Sequence, residues 1–200
     1  MCLSKTSCDI KVVGTNKTHK SQDAFLSNVY NKQQFIQLLS NHLQSLGHKV
    51  INSTDDADTE IAAAAIDQAV ISPVTVISDD TDVLLLLVHH FQKNMVDICH
   101  SSEKAGKTWG IRDIVQKIGP VLKQHLLFLH AWLGCDTTSA VFDQGKTSLC
   151  KKIQASVLLQ ELANLVSDEC SSENDVINAG HKIFSLMYGG SIDTSLTKLR

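Results

Sequence analysis

The stretch "VTVISDDTDVLLLLVHH", Val74 to His90, decides how this chain is read. A β-branched run climbs to Ser78, meets the aspartates Asp79, Asp80 and Asp82, and returns to aliphatic residues. Aspartate forms neither strand nor helix interiors well. The acids therefore mark a junction between a buried strand, entered through Pro73, and a helix that opens near Thr81. A polar cluster at the carboxyl end of a buried strand is where ligands sit in open α/β sheets.

On either side of this stretch the pattern predicts further elements. "NKQQFIQLLSNHLQSLG" spaces Phe35, Ile36, Leu39, Leu43 and Leu46 as a helical stripe, with Gly47 as its stop. "HKVIN" reads as a short strand. "DADTEIAAAAIDQAV" reads as an alanine-rich helix with Asp58 or Thr59 as its N-cap. "MVDICH" reads as a strand, and "TWGIRDIVQKIG" as a short strand followed by a helix. "PVLKQHLLFLHAWLG" reads as a helix with Pro120 in its first turn. Three more helical stretches cover 146–155, 157–167 and 174–188. Strands alternating with helices imply a mainly parallel sheet covered on both faces. Residues 1–23 read as a loosely structured lead-in, and 24–200 as one domain whose helical part begins at about 146.

Composition narrows the class. Of 200 residues, 43% are apolar and 20% charged, the balance of a globular domain with a real core. The longest aliphatic run, Val83 to Val88, is far too short to span a bilayer. The first twenty residues hold lysines but no apolar core of a secretory signal, so an intracellular location, nuclear or cytoplasmic, is expected. Cys2, Cys8, Cys99, Cys135, Cys150 and Cys170 form no C-x-x-C pair and read as free, mostly buried thiols. A net charge of -3 argues mildly against a nucleic-acid partner. Locally, Lys104, Lys107, Arg112, Lys117 and Lys123 face only Asp113, and Lys146, Lys151 and Lys152 face no acid. "DQGKTS" is not a phosphate-binding P-loop, because Ala140 stands where that pattern needs glycine. His89, His90, His100, His125 and His130 lack ligand spacing and read as core or helix-end histidines.

A second acid cluster, Asp55, Asp56 and Asp58, follows "HKVIN", and Asp136 follows "HAWLGC". Two carboxylates ~4 Å apart repel by ~1 kcal/mol in water and ~4 kcal/mol at an effective dielectric near 20, so converging acids call for a counter-charge. Carboxylate oxygens suit hard divalent ions. Two ions ~3.5–4 Å apart support phosphodiester hydrolysis. Asp55 and Asp79 read as turn or cap residues. The repeated D-x-D of Asp56/Asp58 and Asp80/Asp82 reads as metal-binding.

"DADTEIAAAA", "VISDDTDVLLLLVHH" and "HAWLGCDTTSAVFDQGK" resemble the acidic motifs of the PIN-like superfamily in its flap-endonuclease (XPG-type) branch, and among them uncharacterised transposon-associated animal proteins. The resemblance runs from about Asn31 to the C-terminus, and "GCDTTSA" is its most specific piece. It implies a three-layer α/β fold with a mainly parallel central sheet and C-terminal helices. It also implies a nuclease site holding up to two Mg2+ or Mn2+ ions on Asp56, Asp58, Asp80, Asp82 and Asp136. Thr137, Thr138, Gly145 and Lys146 would lie in the segment that grips a nucleic-acid backbone, with DNA as a weakly held partner and no membrane. The family's opening strand, ending in an aspartate, has no good match here, since Asp9 precedes its apolar residues. The chain therefore reads as an N-terminally truncated copy, of low activity. Two other readings compete. One is a non-catalytic relic or binding module of mobile-element origin. The other is a haloacid-dehalogenase-like phosphatase with Asp80 as nucleophile and Asp82 as general acid, which leaves Asp56, Asp58 and Asp136 without a role.

Overall fold

The computed structural model describes residues 9–14, 17, 21–54, 56–135, 137–142 and 145–194. By its internal contacts the chain divides into two units, Met1–Ala57 and Asp58–Arg200.

In the first unit, α1 (Gln22–Leu26) starts at Ser21, whose hydroxyl accepts the Ala24 N–H at 3.3 Å. α2 (Val29–Ser45) starts at Asn28, whose side chain accepts the Asn31 N–H at 2.9 Å. Ahead of them, the chain near Ile10 is strapped to α2. Ile10 N–H donates to Asn31 Oδ1 at 2.7 Å, and Gln34 Nε2 donates to the Ile10 carbonyl at 2.9 Å. The expected apolar stripe of α2 is not its buried face: Phe35, Leu39 and Leu46 are exposed, while Asn31 and Ser40 are buried. A 57-residue unit offers too little second layer to cover a full stripe. "HKVIN" forms no strand, and among the described residues no neighbouring strand offers it a ladder; Asn52 instead accepts the Ser40 hydroxyl at 3.0 Å.

The second unit is α/β. α3 (Ala57–Gln68) begins before Asp58 and Thr59, so both lie in its first turn rather than at its cap. β1 (Val74–Ile77) follows, then α4 (Thr81–His90), β2 (Ile98–Ser102) and β3 (Lys107–Gly110). β1 and β2 run parallel, with Val76 opposite His100; β2 and β3 run antiparallel, with His100 opposite Trp109. The sheet is therefore small and mixed, not mainly parallel. The reason is the turn Glu103–Gly106, with Gly106 at φ 59°, which is far too short for a parallel crossover. One face packs Val76 and Ile98 against Val83, Leu87, Ile111 and the small residues Ala62 and Ala65. The other face carries Thr75, Ile77, Cys99, Ser101 and Thr108, all exposed or half-buried, so the expected cover on both faces is not met.

α5 (Ile111–Gln124) breaks at Gly119 (φ 75°, ψ 174°) and re-enters the helix at Pro120, the residue expected in a first turn. α6 (Leu126–Trp132), α7 (Lys146–Ala155), α8 (Val157–Ser167) and α9 (Glu173–Met187) build a second core around Phe128, Leu149, Ile153, Leu162 and Ile183. The hydroxyls of Ser156 and Ser172 cap α8 and α9. His100 and His125 are buried and His89 is half-buried. Cys99, Cys135, Cys150 and Cys170 are free thiols as expected, but none of the four is fully buried. Among the described residues no helix is long and apolar enough to cross a membrane.

Candidate metal centre

The junction after β1 assigns its three acids different tasks. Asp79 turns toward the β2–β3 hairpin. Its Oδ1 accepts the Ser102 hydroxyl at 2.6 Å and the Lys104 N–H at 2.9 Å, and these bonds hold its carboxyl below the usual 3.8. Asp79 is thus a strut between two strand ends, as its turn-like setting suggested. The Ser78 hydroxyl accepts the Asp80 N–H at 3.0 Å and bends the chain out of the strand. Asp80, with φ -83° and ψ 129°, then caps α4: its Oδ1 accepts the Asp82 N–H at 2.9 Å. Asp82 occupies the first turn of that helix.

Asp58 stands in the first turn of α3. One carboxylate oxygen each from Asp58, Asp80 and Asp82 lie within 4.8 Å of one another. Asp80 is exposed and the other two are half-buried. Oxygens bound to one magnesium-sized ion are separated by ~3.0–4.2 Å, so these three need close by less than ~2 Å to share one. They would fill half of an octahedral shell and leave the rest to water and substrate. Two helix N-termini meet at the cluster, and their partial positive charge offsets part of the carboxylate repulsion.

His130, on α6, places Nε2 3.2 Å from Asp82 Oδ1. It is the site residue that sequence reasoning missed. No local signal points to it, because 48 positions separate it from Asp82 and only the packing of α6 on α4 unites them. An imidazole bonded to one oxygen of a ligating carboxylate orients the other, as outer-shell partners do in metal sites. Beside it, an apolar cavity of about 420 Å³ between α4, α5 and α6 is lined by Thr81, Leu84, Leu122, Leu126 and His130.

Of the other expected ligands, Asp136 lies outside the described residues, as does Asp55. Asp56 falls in the first unit, where its carbonyl accepts the Ser53 hydroxyl at 3.1 Å. In the "GCDTTSA" segment Cys135 and Thr138 exchange reciprocal backbone bonds, 3.1 and 3.2 Å long. Gly134 holds φ 95°, and a Cβ there would stand 2.7 Å from Ala140 Cα, so this position needs glycine. The Thr138 hydroxyl donates to the Ala131 carbonyl at 2.6 Å. Both Thr137 and Thr138 hydroxyls lie 3.2 Å from Cys135 Sγ, and these bonds bring its thiol down from 9.0 to about 7. Gly145 precedes α7 without a side-chain cap; the side chain of Lys146 lies outside the described part. Comparison with protein-family models, curated proteins and solved structures finds no match to this chain.

Proposed function

We propose that this chain is a metal-dependent, nuclease-like domain of the PIN-like kind, in which Asp58, Asp80 and Asp82 hold one Mg2+ or Mn2+ ion. The observation that carries the reading is the convergence of these three carboxylates within 4.8 Å at the end of β1 and the N-termini of α3 and α4. In this reading β1, α3 and α4 would be the metal-bearing part of a PIN-like sheet. Asp58 and Asp82 would be the anchoring ligands, since both are half-buried. Exposed Asp80 would stand at the mouth, where a phosphodiester approaches. His130 would orient Asp82. A bound divalent ion supplies Lewis-acid stabilisation of the charge that develops on a phosphodiester.

Turnover is expected to be low. Two-metal hydrolysis needs carboxylates for a second ion, and the described residues bring together enough for one. Binding to single-stranded or flap DNA should be weak and strongly salt-dependent, because dispersed lysines supply the phosphate contacts. The phosphatase reading gives no role to Asp58, which stands beside Asp80 and Asp82. The test incubates labelled flap DNA and manganese with the wild-type chain and with the Asp80→Asn/Asp82→Asn variant. Slow cleavage lost in the variant supports the proposal. Cleavage that survives in the variant overturns the site, and fast wild-type cleavage overturns the low-turnover clause.

A further inference from the structure

Among the described residues the sheet has the strand order β1-β2-β3, so β1 pairs with a strand on one side only. Val74 N–H donates to the Asp97 carbonyl and Ser78 N–H to the Ser101 carbonyl, both at 3.0 Å. With period-two alternation, Val74, Val76 and Ser78 address β2, and the N–H and C=O groups of Thr75 and Ile77 address the open side. Both residues are exposed, Ile77 by 69% of its surface. Natural edges are usually guarded by a lysine, an inward charge, a bulge or a proline within the strand. Here the run Ala69 to Ser78 carries no charge, and its one proline, Pro73, stands before the strand rather than in it.

We propose that two copies of this chain join through β1, antiparallel about a twofold axis at Val76, into one six-stranded sheet. In that register Thr75 of each copy lies opposite Ile77 of the other. Each pair exchanges two N–H···O bonds, so the outward donors and acceptors of Thr75 and Ile77 are all used. On the exposed face each Ile77 side chain lies against the Thr75 methyl of the other copy, an uncharged cross-strand pair. The contact is isologous and closes on itself. The acids choose the direction. A parallel pairing would set the two Asp58/Asp80/Asp82 clusters one strand spacing apart, ~5 Å. The antiparallel one puts them at opposite ends of the paired strands, ~14 Å or more apart and beyond the screening length at physiological salt.

The test is the solution mass of the full chain by light scattering, with amide exchange read at single residues. The wild-type chain should be a dimer whose Thr75 and Ile77 amides are protected, and dilution to monomer should expose those two while Val76 stays protected. Thr75→Pro removes an outward N–H and no bond to β2, and Ile77→Lys puts a charge on each side of the seam. Each should be monomeric with an unchanged circular dichroism spectrum, whereas Asp80→Asn/Asp82→Asn should remain dimeric, since the seam does not use the metal site. If Thr75→Pro fails to fold, Ile77→Lys and wild-type exchange decide. A monomeric wild type, a dimer that survives Ile77→Lys, or rapid exchange at Thr75 and Ile77 within a dimer would overturn the proposal.

Discussion

Replacing Asp80 by asparagine should change the sign of its effect on stability when metal is added. Without metal, Asp80 repels Asp58 and Asp82 across at most 4.8 Å. Each repulsion is worth ~0.9 kcal/mol at the dielectric of water, the appropriate limit for an exposed group. Asparagine removes both, ~1.7 kcal/mol together. Its side-chain oxygen still caps α4, because asparagine and aspartate are equal N-caps. The variant loses the favourable interaction of a charge with the helix N-terminus, ~0.3–1 kcal/mol. The net is a gain of ~1 kcal/mol, a rise in melting temperature of ~2–4 °C for a chain of this size. Manganese at one hundred times its dissociation constant adds ~2.7 kcal/mol to the wild type and nothing to a variant that cannot bind it. The order then reverses, with the wild type ahead by ~1.7 kcal/mol. Calorimetric melting of both proteins, first in chelator and then across a manganese series, reads both halves. A variant that melts well below the wild type in chelator would refute the repulsion argument. Equal manganese stabilisation of the two would refute the ligand assignment.

Other expectations follow from the same geometry. Gly134→Ala should destabilise the chain by ~1–3 kcal/mol in urea titration, from a positive φ and a backbone clash with Ala140. Burial lowers the values of His89, His100 and His125 below 6.5. The unfolded chain therefore takes up more protons just below pH 6.5, so stability should fall as pH drops through that value, and His100→Phe should flatten the fall in a pH series of melts. Alkylation of Cys135 by iodoacetamide, followed by mass spectrometry, should titrate near 7, and Thr138→Val should move that midpoint up toward 9.0.

Legibility in the sequence tracked how local each determinant is. The three C-terminal helices lie within a residue or so of their periodic pattern, and β1 and α4 follow from a β-branched run ending in a cap. These depend on near neighbours in the chain. "HKVIN" has the propensity of a strand, but a strand exists only where another offers it a ladder. The strand at "TWG" was readable, but its antiparallel direction was not, because the cause, a four-residue turn with glycine at positive φ, lies in a stretch that reads only as polar. In the site, Asp58, Asp80 and Asp82 were readable from their D-x-D spacing after apolar runs, and Asp79 from its place in a turn. His130 was not, since it reaches Asp82 through tertiary packing alone.

Manganese titration followed by electron paramagnetic resonance reads out whether the three aspartates hold a divalent ion. Bound manganese loses most of the sharp six-line signal of the free ion, so the spectrum counts ions per chain. The wild-type chain should bind one ion, displaced by excess magnesium, and the Asp80→Asn/Asp82→Asn variant none. Undiminished free-ion signal with the wild-type chain, or equal binding by the variant, would contradict it.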